Sequence, residues 1–403
     1  AVLAAGYFTD AAAKRLNVGD VVFVVSGPLN VSTLTEGAEV FPATPGVAGT
    51  FTGAPTWTPC TVSAIVNGAA TVVATSLPAA AGQNNFRNIM DAGDFTVNPW
   101  QRGSTFTGIT ATVTYTADRF FAVGGASSSI SVSKVANTTV AGFSQSLVWG
   151  RANANANTAQ IYLGQVLESA DSIRMQGQPV TLSFYAAAGA NFSAASINVQ
   201  LVTSTGTDQS AANLVAGAWT AQANVISTTQ ALTTSLVRYA FTGVVPAGCT
   251  QLGVLISYVP VGTAGAADNV IFEGFQLEAG AQSTAFEHRD IQVELEICQR
   301  YCWVINEPAA GVVVGAGMNT TTSAQIFYLA TPVQFRAAPT VTVTTGSFKT
   351  QQNATATAGT VTPGTTHTPN AISLNANSAA TAGQATLLIG GGGAGIVVAS
   401  ADY

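Results

Sequence analysis

Alternation of apolar and polar residues, repeated in run after run between about positions 84 and 289, constrains this chain more than any other feature. The runs include Ile130 and Val132; Val180, Leu182 and Phe184; Ile197, Val199 and Leu201; and Val254, Ile256 and Tyr258. A period of two places such residues on one face of an extended strand, and a polar opposite face marks a half-buried antiparallel sheet. Gly, Asn, Ser and Thr turns join the runs, and no helical-period segment of ten residues interrupts them. The expectation is a β-sandwich of jelly-roll type over 84–289.

The pattern resumes after 304, notably at Val341-Thr-Val343, passes a polar low-complexity stretch at 351–370, and closes with apolar runs at 387–389 and 396–398. A second, smaller β-sandwich is expected over 304–403. Between the two, 290–303 changes period. Asp290 is a candidate N-cap, and Ile291, Leu295, Cys298 and Cys302 fall on one helical face, so a short helical hinge is expected there. Ahead of both, 1–83 reads as a small β-rich domain and linker. It holds a helical turn capped by Thr9 or Asp10, a strand at 21–25, and short pieces broken by Pro and Gly. The fold class is therefore all-β, with several domains in series, as suits 403 residues.

Charged residues make up 8% of the chain, against roughly 25% in an ordinary soluble protein. Thirteen Lys and Arg stand against nineteen Asp and Glu, and the lysines are only Lys14, Lys134 and Lys349. Neutralising phosphates takes clustered basic residues, so nucleic acid and acidic membrane surfaces are excluded as partners. No apolar run approaches the roughly 18 residues needed to span a bilayer, so no membrane insertion is expected. Residues 1–8 lack the basic and apolar regions of a secretory signal. Four cysteines are too few for a disulfide framework. Cys60 and Cys249 read as core residues. Cys298 and Cys302, at helical spacing, would hold their Cβ atoms about 5–6 Å apart, too far for an undistorted bridge. Free thiols fit assembly in a reducing cytosol.

Chemistry has little to work with. The histidines are His288 and His367 alone, and no Gly-x-Ser-x-Gly elbow occurs. His367 lies in a Thr- and Pro-rich loop and reads as solvated; His288, between Glu287 and Arg289, reads as a linker residue with a charged neighbour. Paired carboxylates could arise by chance on many strands of a sandwich. The acids of interest are Asp91, Asp94, Asp118, Asp268 and Glu273. Asp91 and Asp94 fall in an early turn and Glu273 in a late strand, places that adjoin in many jelly rolls, so a structural calcium held by these three is one reading and solvated turn acids the other. No other cofactor is expected. Gly390, Gly392 and Gly395 match Gly-x-Gly-x-x-Gly, but the segment that follows reads as a strand and not a helix, which points to a Gly-rich hairpin. Sugar binding is the ligand class the composition permits, because aromatic faces stack on sugar rings while Asn, Gln and Arg bond hydroxyls. Trp100, Trp149, Tyr162, Tyr185 and Trp219 are the candidates, with core packing as the alternative for each.

Three motifs near the start of the alternating region stand out: Asn88-Ile-Met-Asp-Ala-Gly-Asp-Phe95, Asn98-Pro-Trp-Gln-Arg-Gly103 and Thr116-Ala-Asp-Arg-Phe120. At its end come Phe275-Gln-Leu-Glu-Ala-Gly280, Phe286-Glu-His-Arg289 and Glu294-Leu-Glu-Ile-Cys-Gln-Arg-Tyr301. This set resembles the jelly-roll module, similar to carbohydrate-binding modules, of bacteriophage fibre and appendage proteins. Pro332-Val-Gln-Phe-Arg-Ala-Ala-Pro339 resembles their carboxyl-terminal sandwich, and Tyr7-Phe-Thr-Asp-Ala-Ala with Leu16-Asn-Val-Gly-Asp20 a short virion domain. The family often carries Tyr-Tyr where this chain has Tyr301-Cys302. The resemblance implies a virion structural protein without enzymatic activity, a homotrimeric tail fibre, head fibre or capsid decoration assembled in the host cytoplasm. Its amino-terminal domain would dock on tail or capsid proteins and its sandwiches would meet host-surface glycans. A trimer would also bury apolar side chains that short sandwiches expose. A tailspike-like polysaccharide depolymerase and a secreted bacterial glycan-binding adhesin are the alternatives; the first usually carries a long β-helix, and no repeat of that period is present.

Overall fold

The computed structural model describes residues 87–125, 129–137, 139–344 and 346–403, together with the backbone of 21–26, 56–66 and 69–74. The chain divides into two compact units, 1–85 and 86–403. In the first, β1 (Val21–Ser26), β2 (Thr56–Val66) and β3 (Ala69–Ala74) form an antiparallel sheet in chain order. The helical turn expected after Thr9 or Asp10 and the side chain of Cys60 lie outside the described residues.

The second unit opens with twelve strands. They are β4 (Thr105–Ile109), β5 (Thr114–Tyr115), β6 (Phe121–Val123), β7 (Ile130–Ala136), β8 (Gln145–Arg151) and β9 (Ile161–Val166). Then come β10 (Pro179–Ala188), β11 (Ile197–Ser204), β12 (Ala223–Gln230), β13 (Val237–Val244), β14 (Gln251–Tyr258) and β15 (Asn269–Ala279). They pair antiparallel into two six-stranded sheets, β13-β10-β15-β8-β7-β4 and β12-β11-β14-β9-β6-β5. The alternation read from the sequence supplies the layer between them. Val180, Leu182 and Phe184 from the first sheet meet Ile197, Val199, Leu201, Val254, Ile256 and Tyr258 from the second, all fully buried. Each such side chain contributes about 1.5–3 kcal/mol by leaving water.

A second core, around Phe327, Leu329, Phe335, Leu374, Leu388 and Val397, lies between the two sheets of the carboxyl-terminal region. Its strands are β16 (Cys302–Asn306), β17 (Val313–Asn319), β18 (Gln325–Ala330), β19 (Thr340–Thr344), β20 (Lys349–Gln352), β21 (Thr355–Ala358), β22 (Thr360–Pro363), β23 (Ala371–Asn377), β24 (Ala385–Ile389) and β25 (Ile396–Ser400). They form a three-stranded sheet, β16-β25-β19, and a seven-stranded one, β21-β20-β24-β17-β18-β23-β22. The polar stretch after 351 is therefore partly sheet, turned tightly at Asn353 and Ala354, both at positive φ.

Three α-helices are described, α1 (Ser169–Ser172), α2 (Ala211–Val215) and α3 (Ile291–Gln299), and a single 3-10 turn, Ile173–Met175, follows α1. Asp290 caps α3 as expected, its carboxylate accepting from Gln292 N at 2.8 Å. The buried face differs from the expected one. Ile291 is 62% exposed, while Glu294 and Cys298 are buried. The helix ends before Cys302, which sits on β16. Cys249, Cys298 and Cys302 are free and buried.

The Gly-rich segment 390–395 is not a hairpin. The strands it joins, β24 and β25, lie in different sheets, so the loop crosses from one layer to the other. There it wraps the carboxylate of Glu307, which accepts from the backbone N–H groups of Gly391, Gly393, Gly395 and Ser347 at 2.9–3.0 Å and from Ser347 Oγ at 2.7 Å. Successive backbone N–H groups aimed at one point make an anion-holding concavity. These hydrogen bonds outweigh a small desolvation cost and bring the Glu307 pKa down to about 2.

Candidate functional site

The acids singled out in the sequence are for the most part buried and paired, not solvated. Asp94, Asp118, Asp268 and Glu273 are each no more than 2% exposed. Asp94 meets His288 Nδ1 at 2.7 Å, which gives His288 a partner 194 residues away in place of its chain neighbours. Asp91 meets Arg119 Nε at 3.0 Å, and Glu273 is bonded to Ser146 Oγ. Asp91, Asp94 and Glu273 are thus each bonded to a different side chain, and no group of three His, Cys, Asp or Glu that could hold a metal ion gathers among the described residues. His367 is half-buried, and its Nδ1 accepts from Ser373 N at 3.3 Å.

The motifs behind the family resemblance converge on one buried junction. Asn88 Oδ1 accepts from Met90 N and Leu277 N, while its amide donates to Phe275 O at 2.9 Å. A Cβ on Gly93 would lie 2.2 Å from Phe275 O, so only glycine lets these two segments touch. Asn98 bridges Ala92 O, Asp118 O and the Trp100 amide. Arg119, 1% exposed and at φ 71°, gathers Asp91, Val166 O and, at 3.7 Å, Asp402, with its guanidinium carbon 3.3 Å from the Tyr301 ring centre. Arg102 pairs with Asp402, and Gln101 Nε2 donates to Cys302 O at 2.8 Å. Arg289 donates to Asn88 O and pairs with Glu294 at 3.3 Å. The opening and closing motifs therefore join the ends of the sandwich to each other and to the carboxyl-terminal region. Burial raises three carboxyl groups of this neighbourhood, Asp118 to about 6 and Glu273 and Glu294 to about 7.

The candidate aromatics are dispersed. Trp149 lies in the core, edge-on to Tyr258 at 5.0 Å. Trp100 is buried against Phe95, and Trp219 is buried with Leu214 and donates Nε1–H to Ser210 O. The faces of these three tryptophans are covered by protein, which takes them out of reach of a sugar ring. Tyr185 is half-buried on the outer side of the first sheet, between Phe143 and Arg238. Tyr162, also half-buried, lies on β9, opposite Ser257 of β14, on the outer side of the second sheet, where it packs against the Leu214 and Trp219 cluster.

That outer side of the second sheet holds a groove of about 560 Å³ lined by Gln160, Asn198, Gln200, Ser227, Thr228, Thr229 and Ser257. It arises from the same alternation that builds the core. Ile197, Val199 and Leu201 point inward, so Asn198 and Gln200 point out. One end of this face is closed by Ala211 and Leu214 of α2, packed with Trp219 and Tyr403; the groove is the open remainder. Ser257 Oγ accepts from Gln160 Nε2 at 2.9 Å and lies 3.5 Å from Asn198 Nδ2. The central strands of the first sheet are instead strapped over by the chain after 280. Glu278 accepts from Thr284, Gln276 Oε1 from Glu287 N, and Phe143 stacks on Phe286 and His288.

The loops leading into Gln160 and out of Ser257 are held by Arg151, whose side chain is fully buried. It meets Asp268 at 2.7 Å through Nε and donates to the carbonyl oxygens of Asn155, Asn157, Val261 and Gly262. The groove was not legible as a site, because polar residues at every second position of a strand read as an ordinary solvent face.

No protein-family model matches this chain, and no curated protein does. Solved structures do. The enzymatically active domain of bacteriophage CBA120 tailspike protein 4 is similar at 12% identity and TM-score 0.29, over 48% of this chain and 21% of that one. The chain thus spans about a fifth of the length of that solved domain. The family 22 carbohydrate-binding module of Clostridium thermocellum Xyn10B is similar at 14% identity and TM-score 0.27, over 41% of this chain and 89% of that one. The tandem CBM22-1–CBM22-2 domain of Paenibacillus barcinonensis Xyn10C is similar at 13% identity and TM-score 0.27, over 78% and 92%. Likenesses this distant carry no ligand or activity across to this chain.

Proposed function

We propose that this protein is a non-enzymatic structural component of a bacteriophage virion, a trimeric fibre or decoration appendage of tail or capsid, that helps attach the particle to host-surface glycans. The observation that carries the attachment reading is the groove on the second sheet, an open concave site built from amide and hydroxyl side chains on rigid strands. Such groups both donate and accept hydrogen bonds, as sugar hydroxyls do. The virion reading is supported by the motif set at 88–120 and 275–301, and residues 1–83 are its docking end. Three copies would multiply weak sugar contacts, since a second linked contact is effectively intramolecular.

A glycan array probed with the full chain and with the double variant Asn198→Ala/Gln200→Ala tests the attachment reading. Binding by the parent that the folded variant loses is expected; equal binding by both would move the site elsewhere. Immunogold electron microscopy of intact particles tests the virion reading, with label on tails or heads expected. Release of oligosaccharides from host polysaccharide by the purified protein would overturn the non-enzymatic one.

A further inference from the structure

We infer that the groove takes an uncharged oligosaccharide laid across the strands, and that it rejects carboxylated, sulfated and phosphorylated sugars. This rests on the glycan reading of the same groove. None of the six strands of the second sheet carries an Asp, Glu, Lys, Arg or His, whereas the first sheet carries Lys134, Arg151, Arg238, Glu273 and Glu278. An anionic ligand would therefore give up its hydration in the groove with no cation to replace it.

The polar atoms point the same way. Gln160 and Asn198 turn their N–H groups toward Ser257 Oγ, and among the described residues neither amide oxygen has a donor. The Gln200 amide has no partner among the described residues either. The groove thus offers amide oxygens that accept from neutral hydroxyls, and no cation to pair with an anion.

Register sets the path. Thr229, Asn198, Ser257 and Tyr162 are successive cross-strand partners on β12, β11, β14 and β9. Four strands at a spacing of 4.7–4.9 Å make a row about 14 Å long. Beside it runs a second row, Ser227, Gln200 and Leu255. The long direction of the site is thus across the sheet, and Tyr162, which packs on the Leu214 and Trp219 cluster just beyond the lining residues, extends the row onto β9 with its remaining exposed ring edge.

Isothermal titration of the full chain with neutral cello-, xylo- and manno-hexasaccharides, and with oligogalacturonate, hyaluronan and heparin fragments, tests this. Binding to a neutral hexasaccharide is expected, at least tenfold tighter than to its own monosaccharide and to every acidic fragment. Between 50 and 500 mM NaCl the affinity should change less than twofold. Tyr162→Ala should weaken it several-fold, and Gln200→Arg should bring acidic fragments into the groove. Preference for an acidic fragment, with steep salt dependence, would overturn the inference and leave the glycan reading standing. Equal affinity for monosaccharide and hexasaccharide would overturn the cross-strand path. Binding to neither class would overturn the glycan reading itself, and this inference with it.

Discussion

Replacing Arg119 with alanine isolates the junction that joins the sandwich to the carboxyl-terminal region. The guanidinium is buried, pairs with Asp91 at 3.0 Å, donates to Val166 O at 2.8 Å, faces Asp402 at 3.7 Å and lies over the Tyr301 ring. Truncation leaves the Asp91 carboxylate, 14% exposed, without its cation, while Asp402, 4% exposed, keeps only Arg102. Removing one partner of a buried pair costs about 3–5 kcal/mol, because the remaining charge stays desolvated. Total stability is commonly about 5–15 kcal/mol, so a loss of this size takes a large share of it. With a urea slope of about 3 kcal/mol/M, at the upper end for folded domains, the midpoint should fall by about 1–1.7 M. Tryptophan fluorescence reads the transition, since Trp100 and Trp149 are both in the core. Lysine at 119 should rescue little, because a point charge cannot serve Asp91, Val166 O and the Tyr301 face together. A midpoint shift under 0.3 M (about 1 kcal/mol at that slope) for Arg119→Ala would refute the reasoning and make the junction a packing contact with incidental charges.

The sandwich should be more stable at pH 5 than at pH 8. Burial holds Asp118 at about 6 and Glu273 and Glu294 at about 7, above the roughly 4 of an unfolded carboxyl, so the folded state binds more protons and stability falls as pH rises through that window. A melting temperature that is flat or rising from pH 5 to 8 would contradict this. Glu307 works in the opposite sense: its folded pKa of about 2 lies below the unfolded value, so its contribution is present above about 4.5 and lost as pH falls toward 2. Glu307→Ala should destabilise the carboxyl-terminal region by about 1 kcal/mol at pH 7, discounted for its exposure to solvent, and scanning calorimetry should find parent and variant alike near pH 2.

Local patterns were legible wherever the physics was local. The alternations at 180–184, 197–201 and 254–258 became core strands, and Asp290 announced the start of α3. What depended on distant partners was not. Asp94 looked like a solvated turn acid because His288 is 194 residues away. Gly390, Gly392 and Gly395 looked like a hairpin because pairing with β17 and β16, which sends β24 and β25 into separate sheets, leaves no local mark. Glu307 drew no notice, since nothing in its surroundings along the chain shows that a loop more than eighty residues on will fold around it. The tryptophans drew notice for chemistry that their burial prevents, while the residues that line the groove are common Asn, Gln, Ser and Thr.

The grip of Arg151 on its loops has an evolutionary side. Four of its contacts are main-chain carbonyl oxygens, atoms that every amino acid supplies, so the shape of the loop ends is secured independently of what their side chains are. Val259 and Val261, 52% and 63% exposed at that rim, can then be exchanged without unravelling it. Tip residues could therefore change over generations on an unchanged frame.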